Sequence, residues 1–160
     1  SEKGLSENQY VLNRIHSDKG WMSLTKGANM KISRSTGYAL LAVGYIGKNK
    51  DQGVILSQSI AKEYNIPLEY LLKILQQLVR ANVLRSKRGP RGGFSLAKPP
   101  SKISMLEVIE AVEGPMAGSL NLTGQRSKEK FRVNAEKAYD KAIKQARDVF
   151  SKTKLSDLLK

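Results

Sequence analysis

The sequence predicts a mainly α-helical fold with one small β-hairpin and a long C-terminal helix. Three observations support this prediction. Apolar residues recur at helical spacing in short segments between 33 and 113, a glycine-rich turn separates two short runs at 82–98, and the stretch 127–152 carries a seven-residue apolar repeat. For 160 residues, one domain of about 100–150 residues with a short appendage is expected.

The composition argues against enzymes and membrane proteins. The chain contains no Cys and one His, His16, so thiol chemistry is excluded and neither a catalytic triad nor a His-based metal site is predicted. The longest uncharged apolar stretch, 38–47, is about half the length of a membrane span. With no signal peptide recognised, we expect a cytoplasmic protein without a membrane partner.

Positive charge is concentrated in the middle of the chain. The formal net charge is +14, divided as +1 for residues 1–29, +10 for 30–102, −3 for 103–125 and +6 for 126–160. Such a block indicates nucleic-acid phosphates or anionic lipid as a partner, and a solvated surface is the alternative. Residues 1–29 lack apolar periodicity and are predicted to be a leader or flexible arm.

Three helices are predicted before the hairpin. The first begins near Ser33 and ends at Gly47, the second is capped by Ser57 and closed by Asn65, and the third has Pro67 in its first turn. The short connection between the second and third helices is typical of a helix-turn-helix. The outward stripe of the third helix could lie in a major groove or be an ordinary wet face; it comprises Tyr70, Lys73, Gln77 and Arg80.

A basic β-hairpin follows, with strands predicted at 82–88 and 94–98 around the turn 89–93. Its basic side chains are Arg85, Lys87, Arg88 and Arg91. An arginine on such a wing can enter a narrow minor groove. The turn lacks the spacing of a phosphate-binding loop and precedes a strand, so nucleotide binding is not predicted. The pattern therefore predicts a winged helix-turn-helix over 30–102.

A fourth helix is predicted from Ser101 or Ser104 to Gly114. Its carboxylates, Glu107, Glu110 and Glu113, recur every three residues and are expected on an exposed side turned away from DNA. Together with the loop 116–127, this helix forms a connecting and effector-type segment, 103–126.

The last segment, 127–160, is predicted to be a dimerisation helix with a tail. The seam residues are Phe131, Ala135, Tyr139, Ala142, Ile143, Ala146, Val149 and Phe150. Packing against its own domain is the alternative, but so long a helix needs more cover than four short helices supply. The apolar tail, Leu155, Leu158 and Leu159, could fold back or reach across to a partner.

Residues 30–114 resemble the Rrf2 family of bacterial winged helix-turn-helix regulators, the IscR/NsrR/CymR-like group. The matching motifs are SRSTGYAL at 33–40, IPLEYL at 66–71, RGPRGGF at 88–94 and EAVEG at 110–114. The resemblance implies a dimer with the third helix in the major groove, a wing arginine in the minor groove and a long helix crossing to the partner. It places Pro67, Glu69, Tyr70 and Lys73 at the operator and makes Arg88 the wing arginine.

The resemblance also raises the question of a cofactor. Several members hold an iron–sulfur cluster on three Cys after the EAVEG motif, and counting places the corresponding positions at Asn121, Ser127 and Val133. None can act as a thiolate ligand, so no cofactor is expected. Either this is a natural member without a cluster, which we favour, or its cysteines have been replaced. Where relatives often have Glu-Gln, this chain has Leu72-Lys73, so a family operator sequence is not expected to transfer.

The sequence therefore predicts a homodimeric, sequence-specific transcription regulator, a repressor, that binds double-stranded DNA at a pseudo-palindromic operator. An effector or partner protein of unknown identity is expected. The alternative is a winged-helix module that binds structured RNA or a protein without sequence readout.

Overall fold

The structure is a computed structural model that describes residues 32–118, 120, 122 and 130–160. The prediction for residues 1–29 lies outside this part. The elements, in chain order, are α1 (Arg34–Lys48), α2 (Ser57–Tyr64), α3 (Leu68–Arg80), β1 (Leu84–Lys87), β2 (Gly93–Leu96), α4 (Met105–Glu113), α5 (Lys130–Lys152) and α6 (Leu155–Leu158). Short 3₁₀ turns lie at Lys50–Gln52 and Pro100–Lys102. The predicted fold class, mainly helical with a small hairpin, is confirmed.

Helix α1 lies at the centre of the molecule. It begins as predicted, because the Ser33 hydroxyl accepts a hydrogen bond from the Thr36 N–H at 3.3 Å. The small side chains Ala39 and Ala42 are fully buried and let neighbouring elements approach closely. Its neighbours are α2, α3, α4, α6 and β2, so these five elements all pack against α1.

Helices α2 and α3 form the predicted helix-turn-helix, with two corrections at their ends. Leu56, not Ser57, occupies the N-cap of α2, and no side chain caps that end. Ile55 pairs with Phe94 and Leu56 is still extended, so the helix begins only at Ser57. Pro67 is the N-cap residue of α3 and does not lie in its first turn. Asn65 closes α2 as predicted, in the left-handed conformation with φ 50°.

The hairpin is antiparallel and runs in register from Leu84 opposite Leu96 to Lys87 opposite Gly93. A third segment joins it, since Ile55 and Phe94 exchange two backbone hydrogen bonds of 2.8 Å each. This pairing was not predicted, because the residues after Gly47 were interpreted only as the end of a helix. It ties the base of the wing to the turn before α2.

The carboxylates of α4 do not share one exposed side as predicted, because only Glu113 is exposed, whereas Glu107 and Glu110 are half-buried and paired. Glu107 forms a capping box with Ser104 and an ion pair with Lys98. Glu110 and Glu113 accept hydrogen bonds from other elements. Three residues advance a helix by about 300°, so three such glutamates span about 120° of its circumference. Because α4 packs against both α1 and α5, these side chains meet different donors.

The C-terminal tail folds back on its own domain. The Leu155 N–H donates to the Ile103 carbonyl at 2.8 Å, and the Leu155 side chain joins the core. Leu159 packs on Gly47, where an added Cβ would lie 2.9 Å from its Cδ1. Among the helices within 32–118 and 130–160, none combines the length and apolar composition needed to cross a membrane.

Replacing Gly93 with Ala should loosen the wing. A Cβ there would lie 2.5 Å from the Ile55 carbonyl oxygen, so the Ile55–Phe94 pairing must shift. We expect a loss of about 1–3 kcal/mol in the free energy of unfolding, measured by thermal or denaturant unfolding. The neighbouring Ser95→Ala should change it by less than about 0.5 kcal/mol. Equal effects of the two substitutions would contradict the role of the pairing.

Acid should weaken the fold through α4. Burial raises the pKa of Glu107. Hydrogen bonds from Lys98 and Ser104 and the charge of Lys98 outweigh this effect and hold the pKa below its ordinary 4.5. The stabilisation is therefore present above about pH 4.5 and is lost as the pH falls through the lowered value. Unfolding measured between pH 7 and pH 3 should show a shallower loss of stability in Glu107→Gln than in the wild type. An identical acid slope would contradict this assignment.

Candidate nucleic-acid interface

Helix α3 has one buried face and one polar face. The buried side chains are Leu71, Ile74, Leu75 and Leu78. The residues that lie directly opposite, at spacings of 4, 3 and 4, are Glu69, Lys73, Gln76 and Arg80, and all four are exposed. None of these four has a hydrogen-bond or ion-pair partner in the part of the chain that the structure describes. We call these four residues the reading face of α3.

The reading face shares Lys73 and Arg80 with the predicted stripe and has Glu69 and Gln76 in place of Tyr70 and Gln77. Gln76 belongs to it and was missed, whereas the predicted Gln77 is half-buried at the edge of the helix. The signal was in the sequence, because the direction opposite the four buried residues lies closer to Gln76 than to Gln77. Glu69, Lys73 and Pro67, which the family resemblance placed at the operator, are exposed.

Tyr70 occupies a different position from the other predicted DNA contacts. Its hydroxyl is hydrogen-bonded to the Ser35 hydroxyl, and its ring stands edge-on to Tyr38 with centroids 5.9 Å apart. The side chain is 38% exposed. Tyr70 therefore connects the first turn of α3 to the first turn of α1.

The wing presents its basic side chains without internal partners. Arg85, Lys87, Arg88 and Arg91 are all exposed, and within residues 32–118 and 130–160 none forms a hydrogen bond or ion pair. The turn between the strands is tight, because a Cβ at Gly92 would lie 2.3 Å from the Lys87 carbonyl oxygen. Arginine and lysine side chains held on such a turn can approach phosphates or a narrow groove.

The predicted seam of α5 is divided between two directions. Ile143 is 9% exposed and packs within its own chain. Phe131 and Val149 are 75% and 60% exposed, and Ala142 is exposed with them. The remaining seam residues, Ala135, Tyr139, Ala146 and Phe150, are half-buried.

The residues present do not fit the family's iron–sulfur cluster. The chain has no Cys, and among the described residues there is no group of three His, Asp or Glu that could hold a metal ion. Of the three counted positions, Val133 lies on α5, and Asn121 and Ser127 fall outside the described residues. The Glu110 carboxylate accepts hydrogen bonds from Arg147 and from the Met116 N–H.

Comparisons with known proteins agree with this geometry. The sequence profile of the Rrf2 family, described as iron-dependent transcriptional regulators, matches residues 32–160. A predicted HTH-type transcriptional regulator of Aquifex aeolicus is 32% identical over 133 residues, which are 81% of this chain and 92% of that protein. BadM, a predicted HTH-type transcriptional regulator of Rhodopseudomonas palustris, is 38% identical over 84 residues, covering 52% of this chain and 53% of BadM.

Solved structures show the same fold. The global cysteine regulator CymR of B. subtilis is 25% identical with a TM-score of 0.69, over 82% of this chain and 97% of CymR. The IscR of T. potens is also 25% identical, with a TM-score of 0.64, over 82% of this chain and 87% of IscR. The profile match and the arrangement of α3 and the wing lead to one conclusion: this chain belongs to the Rrf2 family and is a DNA-binding transcriptional regulator, not an enzyme.

Proposed function

We propose that this protein is a homodimeric repressor that reads a pseudo-palindromic operator in the cytoplasm. One observation carries the proposal: the reading face of α3 and the basic wing lie on consecutive elements, and their side chains have no partners within the described residues. A recognition helix supplies base contacts in the major groove, and the wing supplies phosphate and minor-groove contacts.

The side chains of the reading face suit base recognition. Lys73 can donate to guanine O6 and N7, Gln76 can pair with adenine N6 and N7, and Glu69 can accept from cytosine N4. Arg80, in the last turn of α3, is suited to a phosphate. Because a carboxylate is repelled by phosphates, Glu69 favours a base contact over nonspecific binding.

An exposed apolar strip on α5 supports the homodimer. Phe131, Ala138, Ala142 and Val149 lie within about 20° of one line along the helix, and all four are exposed. The two alanines would let a second helix approach closely. A groove of about 550 Å³ between α1 and the tail, flanked by exposed Leu41 and Leu158, offers further apolar surface. We assign both surfaces to a second copy of this chain.

We also propose that the protein works without a thiolate-bound iron–sulfur cluster. The family is described as iron-dependent, but this sequence lacks the Cys ligands that such a cluster requires. Regulation would then come from an effector or partner protein of different chemistry.

Selection of duplexes from a random-sequence DNA library tests whether the protein recognises a specific DNA sequence. We expect a preferred duplex with two half-sites about 34–36 Å apart or a multiple of this, matching the twofold symmetry of a dimer. Lys73→Ala should change preference at one base pair in each half-site by about 1–3 kcal/mol. Arg88→Ala should weaken binding to all sequences and most where the minor groove is narrow.

The controls for this selection separate specific from nonspecific binding. Unrelated duplex DNA should compete poorly for the selected duplex across a salt titration. Equal binding of all duplexes, or stronger binding of structured RNA, would contradict the proposal and favour a module without DNA sequence readout.

Charging the α5 strip should break the dimer. Val149→Glu places a carboxylate on the exposed strip, where two-fold pairing would bury it, so we expect monomers in sedimentation experiments. The control Lys144→Glu adds a carboxylate elsewhere on α5, where Lys144 is exposed, and should leave the dimer intact. A wild-type protein that is monomeric at all concentrations would contradict the homodimer.

A further inference from the structure

The first turn of α1 is held from two sides. The Ser33 N–H donates to Glu113 Oε1 at 3.0 Å, and the Thr36 hydroxyl donates to the same oxygen. Between them in sequence, the Ser35 hydroxyl is hydrogen-bonded to the hydroxyl of Tyr70. Glu113 comes from the end of α4 and Tyr70 from the start of α3. One turn of α1 therefore contacts both helices, which also pack against each other.

The exposed Glu113 side chain reaches a buried hydroxyl at the start of α1. Thr36 is fully buried, so its hydroxyl depends on this acceptor and on Ser33 for hydrogen bonding. Burial raises the pKa of Glu113, but hydrogen bonds from Ser33 and Thr36 outweigh this and lower it. A charged carboxylate at this end of α1 also faces the positive end of the helix dipole.

The Tyr70 contact joins the first turn of α3 to α1. Tyr70 is the third residue of α3, and its ring packs edge-on against Tyr38. Glu69 precedes it directly, and Lys73 lies one turn further on. A displacement of the first turn of α1 therefore moves the N-terminal end of the reading face.

We propose that Glu113 is a positioning residue for DNA recognition, which acts through the first turn of α1 and the Ser35–Tyr70 hydrogen bond on the reading face of α3. The inference rests on the proposed role of α3 as the reading helix. It gives the EAVEG motif a physical role, because the second glutamate of that motif is the side chain that holds α1.

The position of Glu113 also connects this contact with α5. The backbone of Met116 is held by both helices: its N–H donates to Glu110 of α4 at 2.8 Å, and Arg147 of α5 donates to its carbonyl at 3.0 Å. Arg147 forms an ion pair with the same Glu110 carboxylate oxygen. A change in these contacts of Met116 therefore acts on the chain three residues from Glu113.

A double-mutant cycle tests the proposal. The dissociation constant for the duplex selected by the wild-type protein is measured for Glu113→Ala, Tyr70→Phe and the double variant. We expect Glu113→Ala to weaken binding about tenfold and Tyr70→Phe about threefold. The double variant should lose clearly less affinity than the roughly thirtyfold expected if the two effects were independent. The reason is that both substitutions remove contacts to the same turn of α1.

Two matched variants separate positioning from stability. Glu113→Gln keeps an acceptor oxygen for Ser33 and Thr36 and should restore binding to within about threefold of the wild type. Glu107→Ala removes a carboxylate of the same helix whose hydrogen bonds within the described residues go to Ser104 and Lys98, not to α1. It should lower the unfolding temperature and leave the dissociation constant within about twofold. Circular dichroism at the assay temperature shows that each variant is folded.

The outcomes distinguish this inference from the proposed function. If the wild type selects no preferred duplex, the proposed function fails and this inference fails with it. If it selects one, but the losses multiply independently or Glu107→Ala weakens binding as much as Glu113→Ala, only the positioning role is overturned.

Discussion

The packing of α1 determines the arrangement of the functional elements. The helix is in contact with α2, α3, α4, β2 and α6, and its inner positions are small or β-branched side chains with almost no exposure. Interiors of this kind are close-packed and pass displacements on instead of absorbing them. The rotation of α3, the base of the wing and the end of α4 are therefore all defined relative to one helix. This is why a hydrogen bond at the start of α1 bears on DNA recognition.

The described part of the chain uses its charges in two different ways. The glutamates of α4 are engaged inside the protein, with Lys98, with Arg147 and with the first turn of α1. The basic side chains of the wing and the reading face have no such partners among the described residues. Internal acceptors therefore organise the fold, while the unpaired cations remain available for phosphates, where release of counterions supplies much of the affinity.

The segment after α4 is held to α5 by polar contacts. Here the backbone of Met116 is held to α5 by Glu110 and Arg147. An ion pair and main-chain hydrogen bonds thus provide a mechanical connection between α4 and α5, and the sequence has no Cys to add thiolate ligands. A signal that reaches this segment would act on the same helix that ends in Glu113.

The sequence by itself determined the element types, the wing and the family, because 3.6-residue periodicity, the Ser33 cap and the glycine-rich turn are local features. It also predicted the basic surface, since charge can be counted along the chain. Only the tertiary structure decided the rotations and partners. Tertiary packing pairs Ile55 with Phe94 and joins Glu113 to residues 77 and 80 positions away. Local patterns cannot specify such contacts, because each depends on which surfaces meet when separate elements pack together.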